Sequence, residues 1–453
     1  DWPFWNKYSY YFNSSTELDE TTSLKLRLFY DQFKNGLSSF DNDGYDSMTK
    51  RSAFYSYYDD HTSGMSMEIT TRALAHNTLS FSFFYKDDVH KSGGLNPWYE
   101  TQVPPETADE VKTLSIGFQD IITLTEKLRA TFGFSADHLI GVQTQQLNDD
   151  KDAIVPLQCQ DDPDNASYTG CTPNQWTYNP QISVSYQLTD PGTLFVTLAD
   201  RGRFPLMKEM YTSGLGQRMP SPDLEAERSR NWNVGYTHAF SSKTVGQIEY
   251  FHNTIRDAIN DVFVPDPGWP DNPVCEESDA PGYCEKFANV TEEVHHGFEI
   301  SVRSTPVQPL TLDASYSYIN RTVDYDPEVL RLNPEYLILY PLPRNKVVFN
   351  ATAQLPHAIL ALLTYRYAAG LQLQDTSYDS RNFDLGSVDP EYLALLRPYA
   401  ESHHVVDIGT VAPIAAGVSV QAGIQNLFDT DYHYNPGYPE AGRNWYFNLR
   451  HKF

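Results

Sequence analysis

The chain has 453 residues, of which 40% are hydrophobic, 20% are charged and 14% are aromatic, and its formal net charge at pH 7 is −26. This acidic balance excludes nucleic acid as a natural partner, because neutralising phosphates requires an excess of lysine and arginine. The longest apolar stretches, residues 336–342 and 358–363, are far shorter than the roughly 20 residues of a membrane-spanning helix, so a helical membrane protein is also excluded.

Apolar and polar residues alternate along most of the chain, which predicts antiparallel strands with one apolar and one water-facing side. In chain order, the alternation is clearest at residues 24–30, 127–134, 298–303, 312–318, 418–425 and 443–453. The polar side carries full charges at mid-strand, as at Arg27 and Arg129, so it must contact water. The sequence therefore predicts an all-β fold, a transmembrane antiparallel β-barrel.

The predicted connections between strands alternate in length. Short ones lie at residues 189–192, 241–242, 306–309, 356–358 and 413–417, and long ones at residues 141–177, 202–228, 260–291, 321–343 and 372–402. Outer-membrane barrels have tight periplasmic turns and extended outer loops, so we expect the long links to be extracellular and the C-terminus periplasmic. Keeping every short turn at one end makes residues 52–74 a single strand and gives about 17 strands in total.

The odd strand count bears on domain organisation. Bacterial single-chain barrels close with an even number of strands. The direction of the last predicted strand also requires the first one to run inward, away from the long links. We therefore expect residues 1–453 to be the C-terminal portion of one outer-membrane barrel domain, with the first strands outside this chain.

Four cysteines fall in two close pairs within Pro/Asp/Asn-rich links, Cys159 with Cys171 and Cys275 with Cys284. Their spacing is not that of a zinc ribbon, and no His-x₃₋₅-His partner lies beside either pair. Two local disulfides in exposed outer loops are predicted, which implies an oxidising compartment. Four free thiols are the alternative.

The second half of the chain contains a collinear set of motifs. The C-terminal one consists of Asn426, Leu427, Phe428, Asp429, Pro436, Gly437, Gly442 and a closing strand that ends at Phe453. Its prolines and glycines suit turns, and Asn426 and Asp429 can hydrogen-bond the backbone where strand becomes loop. Upstream motifs occupy residues 201–211, 222–229 and 296–299. Together these segments resemble the signatures of TonB-dependent outer-membrane receptors, except that Ala226 stands where proline is usual.

This resemblance implies a barrel of about 22 strands, with an N-terminal plug that contacts TonB and is absent from this chain. It implies uptake of a scarce ligand, a ferric siderophore or cobalamin-like chelate, across the bacterial outer membrane. The expected partners are TonB, outer-membrane lipid and a small metal chelate, and we expect neither an enzyme nor an intrinsic cofactor. The alternatives are a passive substrate-selective porin, which a closed barrel of about 18 strands would favour, and a structural barrel subunit of an envelope assembly.

One outer link has the composition of a cation site. Asp41, Asp43 and Asp46 alternate around Gly44, which suggests Ca²⁺ binding in an outer loop. The run lacks the bidentate glutamate that closes an EF-hand loop, and a solvated acidic loop is the alternative. Residues 59–61, with the sequence Asp-Asp-His, are a candidate of the same kind, with a solvated acidic segment again as the alternative.

Histidines and arginines near the predicted outer rim are the candidates for ligand contacts. The pairs His295–His296 and His403–His404 lie at strand starts and would bind a metal chelate, with solvated histidine as the alternative. Three arginines, Arg201, Arg203 and Arg218, would meet an anionic siderophore through bidentate hydrogen bonds. The alternative is ion pairing of these arginines with the surplus carboxylates.

Overall fold

Most of the chain forms one large antiparallel sheet. The computed structural model describes residues 1–50, 53–97, 103–148, 151–157, 172–212, 218–268, 270, 275, 282–325, 338–339, 342–370, 372–373, 402–435 and 438–452. Within them the sheet has 18 strands, one of which is the two-residue strand Arg218–Met219. The other 17 are long and are numbered β1 Phe4–Glu17, β2 Thr22–Ser39, β3 Phe54–Thr71, β4 Asn77–Leu95, β5 Thr107–Thr123, β6 Leu128–Gln143, β7 Asn174–Thr189, β8 Gly192–Arg203, β9 Glu227–Ser241, β10 Thr244–Pro265, β11 Tyr283–Val307, β12 Leu310–Tyr325, β13 Asn345–Leu355, β14 Ile359–Ala369, β15 His403–Ala415, β16 Val418–Gln425 and β17 Asn444–His451.

The long strands form a meander in which each strand pairs antiparallel with the next. The predicted all-β class and the predicted strand number are confirmed, and β3 is a single strand. In the described part of the chain, β1 does not pair with β17, so the sheet is not closed.

Connections alternate between short turns at one end of the sheet and long links at the other. The long-link end is called the mouth below, and β1 runs from the mouth toward the short turns, as predicted. The β10–β11 hairpin is taller than expected, because pairing continues to Pro265 opposite Tyr283. Neighbouring segments cover both faces of this tip, where Val262 is buried and Ile259 packs in a core cluster. Apolar residues therefore occur on both faces, and the alternation that marks a strand in sequence is lost.

One face of the sheet carries a continuous exposed apolar band. Register places Phe81, Phe118 and Phe134 in one row across β4, β5 and β6, and their exposed fractions are 51%, 39% and 46%. The band continues to β17, where Trp445, Phe447 and Leu449 are exposed. A soluble sandwich would bury these side chains between two sheets, whereas an exposed band matches the lipid-facing side of a transmembrane barrel. No helix among the described residues is long and apolar enough to cross a membrane.

The opposite face is polar and is called the inner face below. Lys25 faces Glu68 across β2 and β3 at 2.9 Å, and Arg366 pairs with Asp407 across β14 and β15 at 2.9 Å. Small side chains and hydrogen-bonded polar groups make up most of this face, so the strands share no dry core. The main apolar cluster instead lies at the mouth, around Met210.

The C-terminal motif ties the last two strands together at the mouth. Asn426 is buried and adopts φ 50°, and its side chain donates to the Thr430 and Ala441 carbonyls and accepts from the Thr430 amide. Asp429 accepts from the Arg443 amide at 2.7 Å. A Cβ at Gly442 would lie 2.9 Å from the Asp429 carboxylate, so a larger residue there would have to displace that side chain. Pro436, Gly437 and Phe453 lie outside the described residues.

Candidate functional site at the mouth of the inner face

The β8–β9 link lies against the inner face at the mouth, and its described residues, 204–212 and 218–226, are called the strap. It contains the short helix α1, Met207–Tyr211. Met210 and Leu224 of the strap form a buried cluster with Val111 of β5 and Leu139 of β6, and Ile259 and Phe287 of the tall hairpin pack against it. Val111 and Leu139 belong to the inner face, because they have the opposite parity to the exposed Phe118 and Phe134. The strap therefore joins two separate parts of the inner wall.

Two of the predicted ligand-binding arginines hold the strap in place. Arg203 donates to Glu227 and pairs with Glu209 of α1 at 3.1 Å. The Arg218 guanidinium pairs with Asp261 at 2.5 Å and Glu285 at 2.6 Å, which attaches the strap to the tall hairpin. These contacts correspond to the ion-pairing alternative. Arg201 donates to the Gln181 side chain at 2.8 Å on the inner face.

The predicted histidine pairs are each divided between the two faces. Successive side chains of a strand point to opposite sides, so adjacent histidines cannot bind one ligand together. His296 lies opposite His252 on the apolar face, with ring centroids 6.0 Å apart. His404 shares a 2.7 Å hydrogen bond with the Tyr365 hydroxyl on the same face.

The other member of each pair faces inward and already has partners. His295 contacts Glu293 at 2.9 Å, and the same carboxylate receives two hydrogen bonds from Arg321. His403 stacks on Tyr432 with ring centroids 4.7 Å apart. No sequence motif contains Glu293 and Arg321 together, because only the β11–β12 register makes them neighbours.

The acidic outer link is organised by hydrogen bonds of its own. Asp41 accepts from the Ser47 and Thr49 hydroxyls and from the Thr49 and Lys50 amides. Desolvation opposes ionisation, but the hydrogen bonds from the Thr49 and Lys50 amides and from the Ser47 and Thr49 hydroxyls together outweigh it and lower the pKa of Asp41 to about 2. Asp46 accepts from the Asn42 side chain at 2.7 Å. Calcium binding by Asp41, Asp43 and Asp46 stays a prediction.

A disulfide closes the tip of the tall hairpin. Cys275 and Cys284 are bonded, with Cα atoms 5.5 Å apart, as the loop pairing predicts, and Met219 of the strap packs against them. Asp266 beside them accepts from the Cys275 amide at 3.0 Å. These three residues form the only potential metal-ligand group with atoms within 4.8 Å in the described ranges, and the disulfide makes it structural. Cys159 and Cys171 lie outside the described residues.

A further row of ionisable groups carries no signature in the sequence. Asp60, His90 and Asp109 lie directly opposite one another on β3, β4 and β5 and face inward beside the strap. His90 Nδ1 is 2.5 Å from the Asp60 carboxylate. In the sequence Asp60 belongs to the acidic run 59–61, whose other two members face the opposite side. The three residues of the row lie far apart in the chain, so no local motif marks them.

Comparison with known proteins identifies the family of this sheet. Residues 1–427 match the family described as TonB dependent receptor-like, beta-barrel. The chain belongs to this family. This confirms the outer-membrane barrel that the strand pattern and the C-terminal motifs predict. The family and its structural relatives are receptors and transporters, not enzymes.

Individual relatives share limited sequence with this TonB-dependent receptor barrel. The iron-regulated outer membrane virulence protein of Vibrio cholerae serotype O1 is 22% identical over 283 residues, which are 60% of this chain and 39% of the relative. Among solved structures, the copper transporter OprC superposes with a TM-score of 0.71 at 14% identity, covering 100% of this chain and 66% of that one. The ferric enterobactin receptor PfeA of Pseudomonas aeruginosa gives 0.66 at 15% identity, covering 99% of this chain and 61% of that one. The chain thus spans between about two fifths and two thirds of these proteins' lengths, and the structural likeness shows the fold.

Proposed function

We propose that this chain is the barrel part of an outer-membrane receptor that imports a scarce metal chelate, a ferric siderophore or a cobalamin-like compound, with energy delivered through TonB. The observation that carries the proposal is the family match on a sheet with an exposed apolar band, a polar inner face and every long link at one end. In this arrangement the mouth faces the exterior, and the short turns and the C-terminus face the periplasm.

The polar inner face supports passage of a hydrophilic ligand. Charged and amide side chains extend from the short-turn end to the mouth, as at Lys25, Glu249 and Arg366. The strap adds the charged side chains of Glu209 and Arg218 to this face. The similarity to a copper transporter and a ferric enterobactin receptor supports a metal or metal chelate as cargo.

Uptake measurements would test the proposal. The gene is deleted and restored, and cells are supplied with radiolabelled ferric enterobactin, ferric citrate or cyanocobalamin. We expect accumulation of one ligand to depend on the gene and to stop when a protonophore collapses the inner-membrane gradient. Uptake that continues with the protonophore would contradict TonB-driven import and support the porin.

A further inference from the structure

We propose that Asp60, His90 and Asp109 form a binding site for a divalent transition-metal ion on the inner wall of the mouth. Three adjacent strands hold these residues in one cross-strand row, with Asp60 opposite His90 and His90 opposite Asp109. Directly opposed residues have Cβ atoms about 4.5–5.5 Å apart. One imidazole flanked by two carboxylates is a donor set that suits Zn²⁺, Fe²⁺ and Co²⁺. The proposal goes beyond import of a chelate, because its ligand is the ion alone.

The charge balance of the row favours a cation. Neighbouring carboxylates on these strands are neutralised by lysines, in the pairs Asp59–Lys34, Asp88–Lys86 and Glu110–Lys112. Asp60 pairs only with His90 among the ion pairs of the described residues, and Asp109 forms no ion pair there. Asp60 and Asp109 therefore have no lysine or arginine partner among the described ion pairs, on strands where neighbouring acids pair with lysines.

Burial adds a second argument for a bound ligand. Asp109 is 6% exposed, and within the described residues its carboxylate accepts one hydrogen bond, from the Gln145 amide at 3.2 Å. Above it, the buried Tyr211 hydroxyl of α1 has no hydrogen-bond partner in the described chain. A buried carboxylate and an unsatisfied hydroxyl together provide places for a cation and its water ligand.

The site closes by side-chain movement alone. The ligand atoms of the row are not gathered within 4.8 Å of one another as they stand, and His90 Nδ1 is hydrogen-bonded to Asp60. Tyr58 supports the His90 ring at a centroid distance of 5.2 Å. The backbone hydrogen bonds between β3, β4 and β5 hold the strands in place. Rotation of the Asp109 carboxylate toward the His90 ring would then bring an imidazole nitrogen and one carboxylate oxygen each from Asp60 and Asp109 around an ion.

Metal titration of the detergent-solubilised full-length protein would test the site. Co²⁺ and Zn²⁺ are titrated by calorimetry in excess Mg²⁺, which occupies sites made of carboxylates alone. The absorption spectrum of bound Co²⁺ reports whether an imidazole is one of its ligands. We expect one ion to bind per chain. His90→Ala, Asp60→Asn and Asp109→Asn should each weaken binding at least about tenfold, because even the loss of a residue that only supports a metal ligand costs about 10–100-fold in affinity.

The alternation of the strands supplies matched controls. His61→Ala and Glu110→Gln change the next residue along the same strands, whose side chains lie on the opposite face. Both variants should bind the ion like the original protein, and circular dichroism should show an intact sheet in all five. Equal losses in the controls, or an unchanged affinity in His90→Ala, would overturn the proposal. These results are independent of chelate uptake, so either proposal can fail while the other stands.

Discussion

Replacing Asn426 by alanine should measurably destabilise the barrel, because this side chain closes the last hairpin. The amide nitrogen donates to the Thr430 carbonyl at 2.8 Å and the Ala441 carbonyl at 3.3 Å, and the amide oxygen accepts from the Thr430 N–H at 2.9 Å. Each of the three hydrogen bonds contributes about 1 kcal/mol net to stability. Alanine in the left-handed conformation costs about 1 kcal/mol more than asparagine. We therefore expect the free energy of unfolding to fall by about 2–4 kcal/mol. The lower value applies where water satisfies the freed groups.

Urea-induced unfolding in lipid vesicles, followed by tryptophan fluorescence, would measure this loss. Asn426→Asp keeps the acceptor but turns a carboxylate oxygen toward the Thr430 and Ala441 carbonyl oxygens at a buried position, so its loss should be at least as large as that of Asn426→Ala. Phe428→Ala changes an exposed residue of the same motif and should shift the unfolding free energy by less than about 0.5 kcal/mol. If Asn426→Ala behaved like Phe428→Ala, the assignment of the motif as a hairpin clamp would be wrong.

Two further stability predictions concern the mouth. Met210→Ala removes a fully buried side chain of the strap and should lower the free energy of unfolding by about 2–5 kcal/mol. Leu206→Ala, at an exposed position, should lower it little. Similar urea midpoints for the two variants would contradict the packing of α1. Glu293→Ala leaves Arg321 and His295 without their buried carboxylate and should cost about 3–5 kcal/mol. By contrast, Asp313→Ala breaks an exposed pair and should cost less than about 1 kcal/mol; an equal loss would show that burial of Glu293 is unimportant.

Strand periodicity alone shows that two adjacent residues of one strand cannot bind the same ligand, because their side chains lie on opposite faces of the sheet. Period-two alternation implies that His295 and His296 point to opposite faces, so the sequence pattern by itself excludes their joint ligation of one metal. The same reasoning separates Asp60 from His61. The role of Arg218 is less accessible from the sequence, because its carboxylate partners are Asp261 and Glu285 of another hairpin. Such partners depend on how the strap folds over the inner wall.

The sequence by itself determined the strands, their two faces and the alternation of short and long links, because all three follow from local periodicity and turn residues. Tertiary structure decided which same-face residues are neighbours across strands, and so it produced the Asp60–His90–Asp109 row and the Glu293–Arg321 pair. The physical reason is that strand register aligns residues tens of positions apart, and hydrogen-bond ladders set that alignment along whole strands. The fold of the strap likewise depends on apolar contacts with four strands that no local pattern specifies.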